Sequence, residues 1–304
     1  MFDTLKKSFT FETKSSIIGA NQRGEISMIK NFVVFNTQVK HGQMNTAKAF
    51  YPGLEENSEE RTRLMREHKQ LIADEVGFDI NKIFMSLQAS GKHPYVPGTS
   101  YTLTKEDVEN YQDLYDYDVW SDTVKLTRNT PGVVIGFNIS DGANVIAMNL
   151  KTYEATSTFC SGAHINKGVP FTIASQLGGN PDDIIVDVSP FTYDLPFIGN
   201  DDLKEPTWVS NKRNWEDCLS EKNGILWIDQ KKALVRQLED SGIKQENIFL
   251  RENSFQDPNY YSSQRARLTK NPSQDGRFMH GVLLVDEQDD KEYNQQYIRK
   301  YAVK

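Results

Sequence analysis

Cysteine and long apolar runs are both scarce in this 304-residue sequence. Only Cys160 and Cys218 occur, and they form no CxxC pair, so neither a disulfide framework nor a zinc ribbon is indicated. No run of about 18 apolar residues is present, and the N-terminal segment MFDTLKKSFTFETKSS lacks the apolar stretch of a secretory signal. We therefore expect no membrane span and a reducing compartment, and we place the protein in the cytoplasm.

The chain also lacks an excess of positive charge, and it contains few histidines. Its 35 basic and 42 acidic side chains give a formal net charge of −7, which is the wrong sign for a non-specific binder of nucleic-acid polymers. The five histidines are His41, His68, His93, His164 and His280. They are too few and too scattered for a site that holds several copper ions. No GxGxxG or Walker loop is present, so dinucleotide-binding and P-loop folds lose their main support.

The segment NSEERTRLMREHKQLIADEVG, from Asn57 to Gly77, predicts a long amphipathic helix. The residues that recur at helical spacing are Leu64, His68, Leu71, Ile72 and Val76. Asn57 or Ser58 can cap its start, and Gly77 can end it.

Two further helices are marked by their ends. Pro170 can open a helix that Gly178 and Gly179 close. Asp229 can cap another, QKKALVRQLEDSG, which Gly242 ends.

Strand-like segments separate these helices. They are FVVFNT, KIFMSLQ, GVVIGFNI, NVIAMNL, ATSTFC, DIIVDVSP and HGVLLV. The third, fourth and fifth follow one another closely and suggest a meander. The pattern predicts an α+β fold with mixed or antiparallel sheets and flanking helices, rather than a doubly wound one.

The order of these segments resembles that of a known family. The segment FNTQVKHG resembles a family motif NLGxHxGD, and NTPGVVIGFNISDGANVIAMN resembles TPGVxLxVxTADCxPVLxxD. The segments GGNPDDIIVDVSPFTYDLPFIGND, NYYSSQRAR and DGRFMHGVLL are similar to NPExIxAxxGPxIGxxxxEVGxE, FFSYRRD and TGRMAxxI. These motifs are those of the YfiH-like laccase-domain family, whose members are described as multicopper polyphenol oxidases and as purine nucleoside phosphorylases. The resemblance implies a single αββα layered domain over residues 1–285, followed by an acidic extension, 286–304.

The family's metal site is built from the motifs QVHG, TADC and HAGWRG, and this sequence departs from all three. It reads QASG, ISDG and FCSGAH, which places Ser90, Gly142 and Cys160 at the three ligand positions. Because glycine has no ligating side chain and zinc sites use three protein ligands, the resemblance implies a metal-free site without a cofactor.

Two arrangements could restore chemistry to this region. His93, Cys160 and His164 could form a rebuilt metal site if the loop carrying His93 folds back. Alternatively, Cys160 could act as a nucleophile with His164 as its base. Against both stands the simpler interpretation of a turn histidine and a strand cysteine.

The remaining candidates are ligand-binding residues. Asp141 is retained from TADC, and Gly142 and Gly162 are expected to leave room at two strand ends. Arg265, Arg267 and Arg277 could hold a phosphate group bidentately, or they could be surface charges paired with the acidic extension. Tyr260 and Tyr261 could stack on a base or belong to the core.

We therefore predict a metal-free, catalytically reduced protein that binds a purine nucleoside or nucleotide-type metabolite at Ser90, Asp141, Gly142, Cys160, Gly162, His164, Arg265 and Arg277. Its partner is a small molecule, with no nucleic-acid polymer and no membrane. Two alternatives stay open: an active purine nucleoside phosphorylase or deaminase with a rearranged site, and a protein-interaction scaffold with a vestigial pocket. The sequence predicts no oligomeric state.

Overall fold

The structure is a computed structural model that describes residues 26–29, 31–44, 54, 58–85, 100–109, 123–196, 216–223, 225–251 and 253–285. Ser90, His93 and the extension 286–304 lie outside these residues. The helices are α1 Glu59–Val76, α2 Lys105–Glu109, α3 Gly162–Asn166, α4 Val169–Leu177, α5 Gln230–Asp240 and α6 Ser263–Thr269. The strands are β1 Ile26–Ile29, β2 Phe32–Asn36, β3 Ile83–Met85, β4 Ser100–Thr102, β5 Thr123–Leu126, β6 Val134–Ile139, β7 Ala143–Asn149, β8 Glu154–Cys160, β9 Ile184–Val188, β10 Asp194–Pro196, β11 Leu219–Lys222, β12 Ile225–Asp229, β13 Ile248–Leu250 and β14 Phe278–Leu284.

Two sheets form the centre of the molecule. One has the order β1-β2-β14-β6-β3, and the other β13-β9-β7-β8-β5-β4. Both sheets are mixed. In the first, β14 pairs antiparallel with β2 and β6, whereas β3 pairs parallel with β6. In the second, β7 and β8 are antiparallel, whereas β13 pairs parallel with β9 and β4 with β5. A separate small sheet has the order β10-β12-β11.

The sheets are stacked face to face between helices. Ile146 and Met148 of β7 share a buried cluster with Val34, Ile135 and Val282 of the other sheet. Because side chains alternate along a strand, the neighbouring residues of β7 point the other way. Those residues pack against α3, α4 and α5 in a second cluster, and α1 covers the outer face of the five-stranded sheet. This αββα layering confirms the predicted α+β class.

The predicted helix boundaries are confirmed by their caps. Ser58 accepts a hydrogen bond from the N–H of Arg61, and Gly77 ends α1 at φ 85°, which favours glycine. Asp229 accepts from the N–H of Lys232 at 2.8 Å at the start of α5. Gly178 closes α4, which contains Pro170 in its first turn.

The predicted meander is wrong. β7 and β8 form a hairpin, but β6 lies in the other sheet, between β14 and β3. The turn 140–142 therefore carries the chain from one sheet to the other. Every residue of β7 is buried, so no hydrophobic alternation marks which sheet it joins. Within the described residues, no helix has the length and apolar character needed to cross a membrane.

Candidate functional site

The candidate site lies at one end of the two stacked sheets. β6 ends at Ile139, β7 begins at Ala143 and β8 ends at Cys160, whose partner across the hairpin is Ala143. β14 begins beside the end of β6, since Phe278 pairs with Ile139. The segments ISDG and FCSGAH therefore meet here, as the sequence predicted from their similarity to one site.

The space expected beside Gly142 is filled by Phe159. A Cβ atom added at Gly142 would lie 3.0 and 3.1 Å from two ring atoms of Phe159, closer than ordinary contacts. The ring belongs to a buried aromatic cluster between the sheets, made of Phe137, Ile139, Phe159, Tyr260, Tyr261 and Phe278. The expectation that Gly142 opens a cavity is thus corrected: the glycine accommodates a packed ring.

Cys160 points away from this cluster. Its side chain is wholly buried with Ala143, Ile165 and Val169, in the core that faces the helices. The residue that faces Gly142 is Phe159, one position earlier, because consecutive strand residues point to opposite faces. The expectation that Cys160 is a ligand at this site is therefore corrected: the side chain at this site is that of Phe159.

His164 is paired with Ser161 instead of with Cys160. The Oγ of Ser161 lies 2.5 Å from Nδ1 of His164, and the N–H of Ser161 donates to the same nitrogen at 3.3 Å. The imidazole packs edge-on against Phe159, with ring centroids 5.0 Å apart. Cys160 packs instead with Ala143, Ile165 and Val169 in the core that faces the helices, on the side of β8 opposite to Phe159.

The metal-ligand residues do not fit a zinc ion. Gly142 carries no donor, and the thiol of Cys160 lies on the far side of the sheet. In the part of the chain that the structure describes, no three histidine, cysteine or acidic side chains are grouped to hold a metal. Ser90 and His93 lie outside that part and stay untested.

Asp141 joins three segments at this end of the sheets. Its Oδ1 accepts hydrogen bonds from the hydroxyls of Thr192 and Ser262, at 2.9 and 2.6 Å. Its Oδ2 accepts from the N–H of Gln264 at 2.9 Å, in the first turn of α6. The carboxylate thus gives these three donors a hydrogen-bond partner and holds their segments together, which is a positioning role.

Arg265 is occupied by its own loop. Its guanidinium group donates to four main-chain carbonyls at 2.5 to 3.2 Å, those of Ser254, Phe255, Asp257 and Tyr260. A phosphate group would have to displace several of these bonds. The structure therefore assigns the side chain to holding the loop 254–260, contrary to the expectation of a phosphate ligand.

Arg277 remains accessible. Its side chain is 32% exposed, and it donates to the Oγ of Ser263 at 3.0 Å. Asp275 forms an ion pair with it at 3.7 Å and also accepts from Ser263. Burial lowers the pKa of the Arg277 guanidinium from its usual value, and Asp275 and Asp141 oppose that shift.

Tyr260 and Tyr261 belong to the aromatic cluster, as one of the two sequence interpretations held. They are 7% and 5% exposed, so neither presents a face to solvent for base stacking. The ring of Tyr260 packs on Phe278 at 5.0 Å between centroids.

A buried polar network that the sequence did not predict links the two sheets. His280 on β14 donates from Nε2 to Asp187 on β9 at 3.2 Å and accepts at Nδ1 from Asn144 on β7 at 3.2 Å. Arg251 donates twice to the same carboxylate, at 3.0 and 2.9 Å. Burial lowers the pKa of His280, although Asp187 opposes the shift. The imidazole is therefore neutral near pH 7.

A groove of about 670 Å³ lies at the opposite end of the sheets. Its lining includes Arg128, Asn149, Lys151, Glu154 and Asp183. Asn149 ends β7 and Glu154 begins β8, so the groove is separated from Gly142 by the length of the hairpin. It contains both charge signs and is a second place where a polar ligand could sit.

The sequence contained partial signals for the residues that were missed. A serine three residues before a histidine at a strand end marks the Ser161–His164 pair, because that spacing brings both side chains to one turn of helix. Asp187 is a single acid within an apolar strand, which indicates a buried partner. No local pattern identifies Arg251 and His280 as that partner.

Solved structures of other proteins share this fold. No protein-family model and no curated protein sequence matches the chain. The hypothetical protein YfiH of Bacillus licheniformis is 15% identical, with a TM-score of 0.61, over 83% of this chain and 92% of that one. YlmD from Geobacillus stearothermophilus is 15% identical, with a TM-score of 0.63, over 84% and 93%. A Neisseria meningitidis protein of the DUF152 family is 11% identical, with a TM-score of 0.61, over 86% and 98%. The resemblance inferred from the motifs is thus confirmed at the level of the fold: the chain has the fold of the YfiH-like proteins.

Proposed function

We propose that the protein binds a purine nucleoside or nucleotide-type metabolite without a metal ion, and acts as a sensor or by sequestering that ligand. The observation that carries the proposal is the packing of Phe159 against Gly142, which puts a ring where a metal ligand is expected. Reactions through zinc-bound hydroxide need three protein ligands and an open position. We therefore infer that the protein does not use metal-dependent turnover.

The proposed ligand site is the rim around the aromatic cluster, where Asp141, Gly142, Gly162 and Arg277 are partly exposed and His164 is buried. Arg277 is the group suited to a phosphate, because a guanidinium binds phosphate oxygens through paired hydrogen bonds. Its ion pair with Asp275 is long and about one-third exposed, so replacing that ion pair with a phosphate costs little. The same guanidinium group also donates to Ser263 Oγ and to the carbonyl of Gly276. Asp141 holds the rim in place through its hydrogen bonds with Thr192, Ser262 and Gln264.

Calorimetry with adenosine, inosine, adenosine monophosphate and ADP-ribose tests the proposal. Changing Arg277→Ala should weaken binding of the phosphorylated ligands by about tenfold or more, which is about 1.4 kcal/mol, and leave the nucleosides nearly unaffected. Two matched variants serve as controls. Arg267→Ala removes an exposed arginine of α6, and Arg128→Ala removes the arginine of the distant groove. If binding is weakened only in Arg128→Ala, the ligand site is the groove instead of the rim.

The two alternatives predict different results in the same experiment. If adenosine or inosine is consumed at an enzymatic rate, the phosphorylase or deaminase hypothesis replaces the binding protein. If no ligand binds the folded wild-type protein, the scaffold hypothesis replaces it.

A further inference from the structure

We propose that Ser161 is a nucleophile, activated by His164, that accepts an acyl group from a carboxylic ester. The proposal goes beyond nucleotide binding and does not depend on it, because the reacting group is an ester carbonyl and neither Arg277 nor a metal takes part. A serine hydroxyl becomes an effective nucleophile when a histidine nitrogen lies within hydrogen-bond distance. Ser161 Oγ and His164 Nδ1 are 2.5 Å apart.

The histidine is held in the orientation that this role requires. Both the hydroxyl and the N–H of Ser161 point to Nδ1, so that nitrogen carries the lone pair and the proton resides on Nε2. The edge-on contact with Phe159 fixes the plane of the ring. His164 is 6% exposed, whereas Ser161 is half-buried and thus open to an ester from the solvent side.

A purely structural role would use the same pair differently. Ser161 directly precedes α3, and its N–H donates to the side chain of the third residue of that helix, as in a capping box. A capping box requires an acceptor at position 164 but not a base. Asparagine places an acceptor near the position of Nδ1 and cannot take up a proton at neutral pH, so it separates the two roles.

The reaction balances with water as the only co-reactant. Ser161 Oγ forms a bond to the acyl carbon while its proton moves to Nδ1 of His164. The bond from the acyl carbon to the alkoxy oxygen breaks, and the alcohol leaves with that proton. Water then attacks the acyl-serine, gives a proton to Nδ1, and releases the acid as the proton returns to Oγ.

A fluorophosphonate probe on the purified full-length chain tests the proposal. Ser161 Oγ should displace fluoride from phosphorus, and peptide mass spectrometry should locate the adduct at Ser161. Ser161→Ala should abolish labelling. His164→Asn should slow it by about a hundredfold or more, because a general base contributes about 10²- to 10⁴-fold. Ser175→Ala, which removes an exposed hydroxyl of α4, should label at the wild-type rate.

Thermal unfolding of each variant separates loss of chemistry from loss of fold. If Ser161→Ala does not fold, the adduct position in the wild-type protein and the rate in His164→Asn still decide the question. An adduct at another residue, no adduct, or equal rates in wild type and His164→Asn would overturn the proposal. Because nucleotide binding is measured separately with Arg277→Ala, either proposal can fail without the other.

Discussion

At the scale of single residues, the distinctive feature is the contact between Gly142 and Phe159. Gly142→Cys should destabilise the protein by about 1 to 3 kcal/mol, because its Cβ would approach the ring to 3.0 Å within a packed cluster. Urea denaturation measures this cost. In a Phe159→Leu background the same change should cost less, since the smaller side chain frees the space. Equal costs in both backgrounds would mean that the ring does not fill the site.

His280 predicts how stability depends on pH. Its imidazole is fully buried, and burial lowers its pKa below the usual value of about 6.5, so the unfolded chain binds a proton more readily than the folded one. The free energy of unfolding should therefore fall as the pH drops below about 6.5. Asp187 adds a second loss at lower pH: burial raises its pKa, but Arg251 and His280 outweigh this and keep the carboxylate charged.

Denaturation at a series of pH values measures this dependence. His280→Gln should flatten the curve between about pH 6.5 and 5, where only the histidine titrates among the residues of the network. The exposed pair Arg63 and Glu60 offers a control. Glu60→Gln should leave the curve between about pH 6.5 and 5 unchanged, because the hydrogen bond from Arg63 lowers the pKa of Glu60 and the carboxylate titrates below that range. An unchanged slope in His280→Gln would show that the histidine is not the source.

The sequence predicted which segments form the site, but it did not predict which face of the strand each side chain points to. The sequence correctly places FCSGAH at a strand end, yet a shift of one residue moves every side chain to the opposite face. The motif similarity put Cys160 at the site, and the strand puts Phe159 there. Burial of both faces of β8 leaves no polar alternation that would have decided between them.

At the scale of elements, α6 and the loop before it behave as one unit through Arg265. Arg265→Met should destabilise this region by about 2 to 4 kcal/mol, because four main-chain carbonyls lose a charged donor. Hydrogen exchange should become faster in residues 253–262. Arg267→Met, in the same helix, loses a single exposed bond and should change neither exchange nor stability. Faster exchange in both variants would assign the effect to helix propensity.

Helices were more predictable than the pairing of strands. The ends of α1 and α5 follow from local chemistry, since Ser58 and Asp229 accept main-chain hydrogen bonds within their own helices. The position of β6 depends on contacts distant in sequence, with Phe278 and Val282 of β14. A short turn between two buried strands can close a hairpin or cross between sheets, and the turn 140–142 crosses.

At the scale of the whole molecule, the two sheets share one core, so the chain should unfold as a unit. The apolar cluster between the sheets contains residues of both sheets. The hydrogen bond between His280 of β14 and Asp187 of β9 joins the two sheets as well. Far-ultraviolet and near-ultraviolet circular dichroism should give coincident transitions in urea. Separate midpoints would support two independently folding parts, and the prediction of one domain over 1–285 would fail.

We propose that side-chain packing takes the place of metal ligation at this end of the sheets. The most direct test is elemental analysis after the protein is incubated with zinc and copper and then passed through a desalting column. No stoichiometric metal is expected, because Gly142 supplies no ligand and Cys160 faces the helices. About one metal ion per chain, lost in Cys160→Ser or His164→Asn, would show that these residues bind a metal and would restore the hypothesis of a metal-dependent enzyme.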